Sequence, residues 1–155
     1  MPTYVREVTT DEGWDEAVPV IRQLWSHESA AFVRSWRDED DYRLFGLYET
    51  PSDASAAPGA VADPPERGDL VAVAGVSVQR VLHHERHLWV HDFVVDEPRR
   101  GEGFGRELLD WLDAWARDHD CENLALACWA ENDDGRAFYE SQGLETWGHV
   151  MEREL

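Results

Sequence analysis

His91-Asp92-Phe93-Val94-Val95-Asp96-Glu97-Pro98-Arg99-Arg100-Gly101-Glu102-Gly103-Phe104-Gly105-Arg106 is the stretch on which the fold of this chain turns. Leu88 to Val95 is apolar and suits a buried strand, Asp96-Glu97-Pro98 suits a turn, and Phe104, Leu108, Leu112 and Trp115 then recur on one helical face. Gly101, Gly103 and Gly105 stand where the strand hands over to the helix. A glycine turn feeding a helix start leaves backbone N–H groups unpaired, with the positive end of the helix dipole behind them. That arrangement binds phosphate, and glycine lets the backbone approach it closely. The stretch therefore predicts a phosphorylated ligand.

Three glycine-rich loops compete for that reading. A Walker loop requires Gly-Lys-Ser/Thr, and this chain contains no lysine. A dinucleotide fingerprint requires its third glycine three residues after the second, whereas these glycines step by two. The third reading fits: Arg100-Gly101-Glu102-Gly103-Phe104-Gly105 resembles the Arg/Gln-x-x-Gly-x-Gly/Ala pyrophosphate loop of the GNAT family of N-acetyltransferases. Val95 lies eight residues before Gly103 with a turn proline between them, and Asn132 precedes Tyr139 by seven with Gly143 beyond, all as in that family.

The resemblance implies a single α/β domain over 1–155, with a mixed, splayed central sheet flanked by helices and acetyl-CoA as cosubstrate. Backbone groups of Phe93, Val94 and Val95 would hold the pantetheine arm and polarise the thioester. Amides from Arg100 through Gly101, Glu102, Gly103, Phe104 and Gly105 to Arg106 would wrap the pyrophosphate, with Arg99, Arg100 and Arg106 adding side-chain charge. Tyr139 matches the position that protonates the departing thiolate, and Asn132 one that bonds the cofactor arm. Asn132 also reads as a simple helix cap. The implied activity is direct acetyl transfer to a primary amine, in a small molecule or peptide, within a ternary complex.

The general base departs from the family pattern. The glutamates used by ribosomal-protein-type and histone-type members correspond to Ala127 and Trp89. The Glu-Asp-Phe-x-Val of polyamine and diamine acetyltransferases is similar to His91-Asp92-Phe93-Val94-Val95 instead. His91 and Asp92 are the first candidates, with Glu131 or a water relay as the further alternative, and strand alternation sends His91 and Asp92 to opposite faces, so one of those two is expected to meet the substrate. The missing glutamates leave an alternative: a catalytically silent module that holds acyl-CoA or a protein partner. Cys121 and Cys128 lack zinc-site spacing and read as reduced thiols. His83, His84 and His87 read as solvated turn histidines, and no metal is expected. Trp25, Trp36 and Trp129 suit either an acceptor pocket or the core.

Further out, Tyr4 to Val8 reads as a strand. Thr9 and Glu12 form a capping-box pattern for a helix carrying Trp14, Ala17, Val18, Ile21 and Trp25, kinked or broken at Pro19. Ser26 to Trp36 reads as a second helix and Tyr42 to Tyr48 as a strand. Residues 51–68 lack periodicity and read as a mobile surface loop. Leu70 to Val81 pairs with Leu88 to Val95, Leu124 to Trp129 is a strand, Gly135 to Ser141 is a helix stopped by Gly143, and Trp147 to Glu154 is a last strand. Dimerisation through a last strand is common in proteins of this resemblance.

Thirty-three acidic residues against 14 arginines give a net charge of -19. The expectation is a protein adapted to high internal salt, where a screening length of roughly 3 Å at molar ionic strength removes the self-repulsion. Nucleic-acid binding is disfavoured by the sign of that field. No run of 18 apolar residues and no signal-peptide pattern occurs, so no membrane association and a cytoplasmic location are expected.

Overall fold

A computed structural model describes residues 2–50 and 68–155. The expected surface loop falls almost wholly on 51–67, outside the described residues. Five strands form one sheet in the order β1 (Thr3–Glu7), β2 (Arg43–Glu49), β3 (Asp69–Val81), β4 (Glu85–Val95), β5 (Asn123–Leu126). Neighbours are antiparallel except β4 and β5, which are parallel. Helices α1 (Asp11–Leu24) and α2 (Ala30–Ser35) precede β2, α3 (Phe104–Asp118) follows β4, and α4 (Asp133–Ser141) follows β5.

Strand alternation divides the core into two. Phe45, Leu47, Ala72, Ala74, Val76 and Val90 pack against Phe104, Leu108, Leu112 and Ala116 of α3. Leu44, Val73 and Val94 point the other way, onto Trp14, Ala17, Val18 and Ile21 of α1. Each buried aliphatic side chain contributes roughly 1.5–3 kcal/mol, and this explains Pro19. The helix runs unbroken from Asp11 to Leu24, because docking Val18, Val20 and Ile21 outweighs the roughly 3 kcal/mol cost of an interior proline. The cap is Thr10 rather than Thr9; its hydroxyl accepts from Gly13 N at 3.0 Å.

Other boundaries move for similarly local reasons. Ser29 caps α2 by accepting from Phe32 N at 3.1 Å, so that helix starts later than Ser26 and ends in a 3-10 turn over Trp36–Asp38. Helix α4 ends as expected at Gly143, whose φ of +92° needs glycine. Gly143 N donates to Glu140 O and Leu144 N to Tyr139 O, both at 3.0 Å. Trp147 to Glu154 forms no strand: Trp147, Val150 and Met151 are exposed, and no described residue pairs with this segment. No helix among the described residues is long and apolar enough to cross a membrane.

Two irregularities of β4 position everything that follows. Gly75 of β3 faces Asp92, but the next residue, Val76, faces Val90, so His91 is an extra residue in a β-bulge. Pairing with β5 runs from His87 to Val90 and stops there. From His91 onward β4 and β5 diverge, and the sheet is splayed.

Candidate active site and cofactor groove

The bulge corrects the expectation that His91 and Asp92 face apart. Both side chains line a cavity of about 300 Å³ on the α1 side of the sheet, with Trp25, Phe32, Trp36 and Tyr42 as aromatic walls and Glu28 at its edge. An inserted residue resets the two-residue alternation, so neighbours in sequence reach one pocket. Asp92 is the polar centre: Oδ1 accepts from Trp25 Nε1 at 2.5 Å and Oδ2 from the Tyr42 hydroxyl at 2.7 Å. Burial, reinforced by the Asp92 charge, raises the Tyr42 pKa well above its ordinary value, so Tyr42 stays a donor. Tyr42 reaches Asp92 across Gly75, where any Cβ would collide with its hydroxyl.

His91 Nε2 lies 2.7 Å from Ser77 Oγ, which also accepts from Gln79 Nε2 at 3.3 Å. Burial lowers the His91 pKa, partly opposed by the Asp92 carboxylate, so the imidazole is neutral at pH 7. The ring packs 5.7 Å from Tyr42 and 6.4 Å from Trp36. Trp129, beyond β5, sits edge-on to Trp25 at 5.7 Å and extends the aromatic wall. The pocket thus holds two carboxylates, one neutral imidazole and an aromatic lining.

The other side of β4 is built from backbone. Among the described residues no strand pairs with the β5 edge of β4 after Val90, so alternate N–H and C=O groups of 91–95 face the gap. At the end of the gap Gly101 (φ +83°) and Gly103 (φ +91°) are both left-handed, and a Cβ on either would meet nothing within 4 Å. Among the described residues no backbone carbonyl accepts from the amides of Gly101 to Arg106; the first α3 bond is Glu107 N to Gly103 O at 3.1 Å. Phe138 packs against Gly105 at the α3 start and stacks on Phe93 at 6.3 Å, closing the groove with α4. The residues present fit a diphosphate at the helix start and an extended arm along β4.

The arginines are less available than their number implies. Arg99 pairs with Glu49 at 2.8 Å and Glu102 at 2.9 Å. Arg100 Nε donates to Val95 O at 3.0 Å, bracing the turn. Arg106 is exposed, 4.0 Å from Asp110. Asn132 caps α4, its Oδ1 accepting from Gly135 N at 3.0 Å, which leaves its Nδ2 for other partners. Tyr139 lies 6.1 Å from Phe93, and burial, with a smaller contribution from Cys128, pushes its pKa up to about 12.

These features coincide with a match over residues 21–144 to the model of the acetyltransferase (GNAT) family. The chain belongs to that family. It is an N-acetyltransferase, and acetyl-CoA is its cosubstrate. It is 24% identical over 140 residues to the uncharacterized N-acetyltransferase YhdJ of Bacillus subtilis, covering 88% of this chain and 87% of that protein. The fold is similar to that of the aminoglycoside N-acetyltransferase AAC(6')-Iy in complex with CoA, with a TM-score of 0.76, 13% identity, and coverage of 99% of this chain and 95% of that one. BH1408 from Bacillus halodurans gives 0.72 at 17% identity, covering 98% and 99% of the two chains.

Glu28, Phe32 and Tyr42 line the pocket and Ser77 braces His91, and none of these roles is read from the sequence. One signal for Tyr42 was available. A lone glycine inside a strand, here Gly75, marks a bulge or a close approach.

Proposed function

We propose that this GNAT acetyltransferase moves the acetyl group directly to the primary amine of a small cation with an apolar body. The observation that carries this reading is the bulge at His91, which gives one aromatic pocket both a carboxylate and a neutral imidazole beside the β4–β5 gap. A cavity of 300 Å³ lies at the small end of the roughly 300–1,000 Å³ typical of ligand sites. Indole and phenol faces attract cations and shelter hydrocarbon. They offer little to a multi-ring, polyhydroxylated amine.

In this reading Asp92, fixed by Trp25 and Tyr42, receives the ammonium of the incoming substrate. His91 accepts its proton, because an alkyl amine of pKa about 10.4 is overwhelmingly protonated at pH 7 and attacks only when neutral. Backbone N–H groups on Phe93 to Val95 stabilise the oxygen that gains charge as the C–N bond forms. The acetyl-CoA cosubstrate supplies the activated thioester. Its diphosphate is held by the amides of Gly101 to Arg106, those of Glu102, Phe104 and Gly105 included, with Arg100 bracing the turn and Asn132 Nδ2 facing the arm.

Tyr139 acts on the leaving sulfur as a hydrogen-bond donor. Full transfer from a phenol near 12 to a thiolate of ordinary pKa about 8.5 is uphill by roughly three to four units. The proton that finally neutralises the sulfur therefore comes from the attacking nitrogen, which must lose one more to become an amide.

Thiol release with an amine panel tests this. Arylalkyl and short alkyl monoamines are expected to exceed aminoglycosides in kcat/KM by at least about tenfold, the scale set by one methylene-sized or polar mismatch. Saturable CoA binding without turnover of any amine would overturn the catalytic reading in favour of a silent acyl-CoA module.

A further inference from the structure

We propose a divalent transition-metal site, built from His83, His84 and His87, at the turn joining β3 to β4. Among the described residues these are the one group of three possible metal ligands drawn together, each offering a nitrogen within 4.8 Å of the others. The expectation of solvated turn histidines fails for His87, which is 3% exposed and lies within β4.

The donor geometry is that of a ligand set. His87 Nε2 lies 3.0 Å from Gln79 Oε1, an atom that only accepts, so that nitrogen carries the proton of the neutral ring. The Gln79 amide is oriented from its other end, where Nε2 donates to Ser77 Oγ at 3.3 Å. His87 Nδ1 is then left as a lone pair, and it faces His84 Nδ1 at 3.2 Å. Two nitrogens on a tetrahedral ion, each about 2.0–2.1 Å from it, stand roughly 3.3 Å apart. An outer N–H donated to an amide oxygen is the usual way of aiming a metal-binding imidazole.

Backbone and aromatic contacts support the same centre. Glu85, the residue between His84 and His87 that opens β4, is held at φ +59°, a left-handed conformation that non-glycine residues seldom adopt and that persists where the surroundings impose it. The Trp147 ring stacks on His83 at 4.6 Å and 16°, limiting where that imidazole can swing. Three imidazole nitrogens suit zinc, cobalt, nickel or copper rather than magnesium or calcium. Three protein ligands leave a fourth position for water or another donor. The site lies four residues along β4 from His91, about 13 Å, so it is separate from the acceptor pocket.

The test uses the untagged full-length protein and cobalt(II) chloride as probe, with zinc chloride in competition. One equivalent of cobalt is expected to give the intense visible bands of a four-coordinate ion, and zinc to abolish them. His87→Ala and His84→Ala should each remove the bands, and Gln79→Leu should weaken binding by about 10- to 100-fold. His27→Ala, on α1's far connection, should bind as the parent does. His84 is half-exposed, so its loss leaves the fold intact even if His87→Ala unfolds. A cobalt spectrum that stays that of the hexaaqua ion, or that survives His84→Ala, overturns the proposal.

Discussion

The two faces of β4 are built on different principles. On the β5 edge and at the start of α3 the cosubstrate groove is backbone: unpaired amides, left-handed glycines, and a gap left where pairing stops at Val90. On the α1 side the acceptor pocket is made of side chains from separate segments, held by Asp92, Trp25, Tyr42, His91 and Ser77. A groove of amides tolerates wide sequence change so long as its glycines remain. A pocket of side chains can be retuned to another amine one residue at a time.

The largest expected effect is on the backbone side. Gly103→Trp is expected to abolish saturable CoA binding in isothermal titration, because an indole would fill the open space at the helix start. Gly103→Ala is the matched control, since it imposes the same backbone strain at φ +91° while its Cβ meets nothing within 4 Å. Loss of binding in both variants would mean that strain, rather than occupancy of the groove, is responsible. Unchanged binding in Gly103→Trp would remove the groove assignment.

On the side-chain face, His91→Gln is expected to lower kcat by 10²- to 10⁴-fold while CoA affinity stays unchanged. The pH profile adds a signed test. Burial lowers the His91 pKa, and the neutral ring is the active form, so activity should fall only as pH drops below the ordinary histidine value near 6.5. That acidic limb should vanish in His91→Gln. A limb that persists unaltered would move the base elsewhere in the pocket.

The same contrast explains what could be read in advance. The cosubstrate side is encoded locally: strand, Pro98, three glycines and a periodic helix lie within about thirty residues, and each has a direct conformational meaning. The splayed sheet follows from that motif by resemblance, and so does Tyr139. The acceptor side depends on contacts of Trp25 and Tyr42 with Asp92 and of Ser77 with His91, which no spacing in the chain announces. Alternation misplaced His91 because a bulge consumes one residue without leaving a mark on the apolar pattern. The last strand failed for a different reason: Trp147 to Met151 has strand-forming residues, but among the described residues the segment makes no ladder with the free edge of β5, and Trp147 stacks on His83 instead.

Tyr139→Phe sits at the junction of the two faces and should have a smaller effect, about 10- to 100-fold in kcat, the range for losing one hydrogen bond to a charged atom. With its pKa near 12 the phenol stays protonated across the working range. Its removal should therefore lower the pH–rate profile without changing the profile's shape. A basic limb that disappears in Tyr139→Phe would mean that the residue titrates during turnover.

The smallest effect per site, though spread over the whole surface, is that of salt. At a net charge of -19 the chain repels itself and repels anionic CoA, yet attracts a cationic amine. Raising ionic strength from 0.15 M to 1 M shortens the screening length from roughly 8 Å to roughly 3 Å and weakens all three effects. The melting temperature should then rise and the KM for acetyl-CoA should fall, while the KM for the amine rises. Opposite movement of the two KM values separates a field acting on both ligands from a general stabilisation, which would shift them together. If both fall, the acidic surface serves folding in brine and the amine is drawn in by Asp92 and the aromatic walls alone.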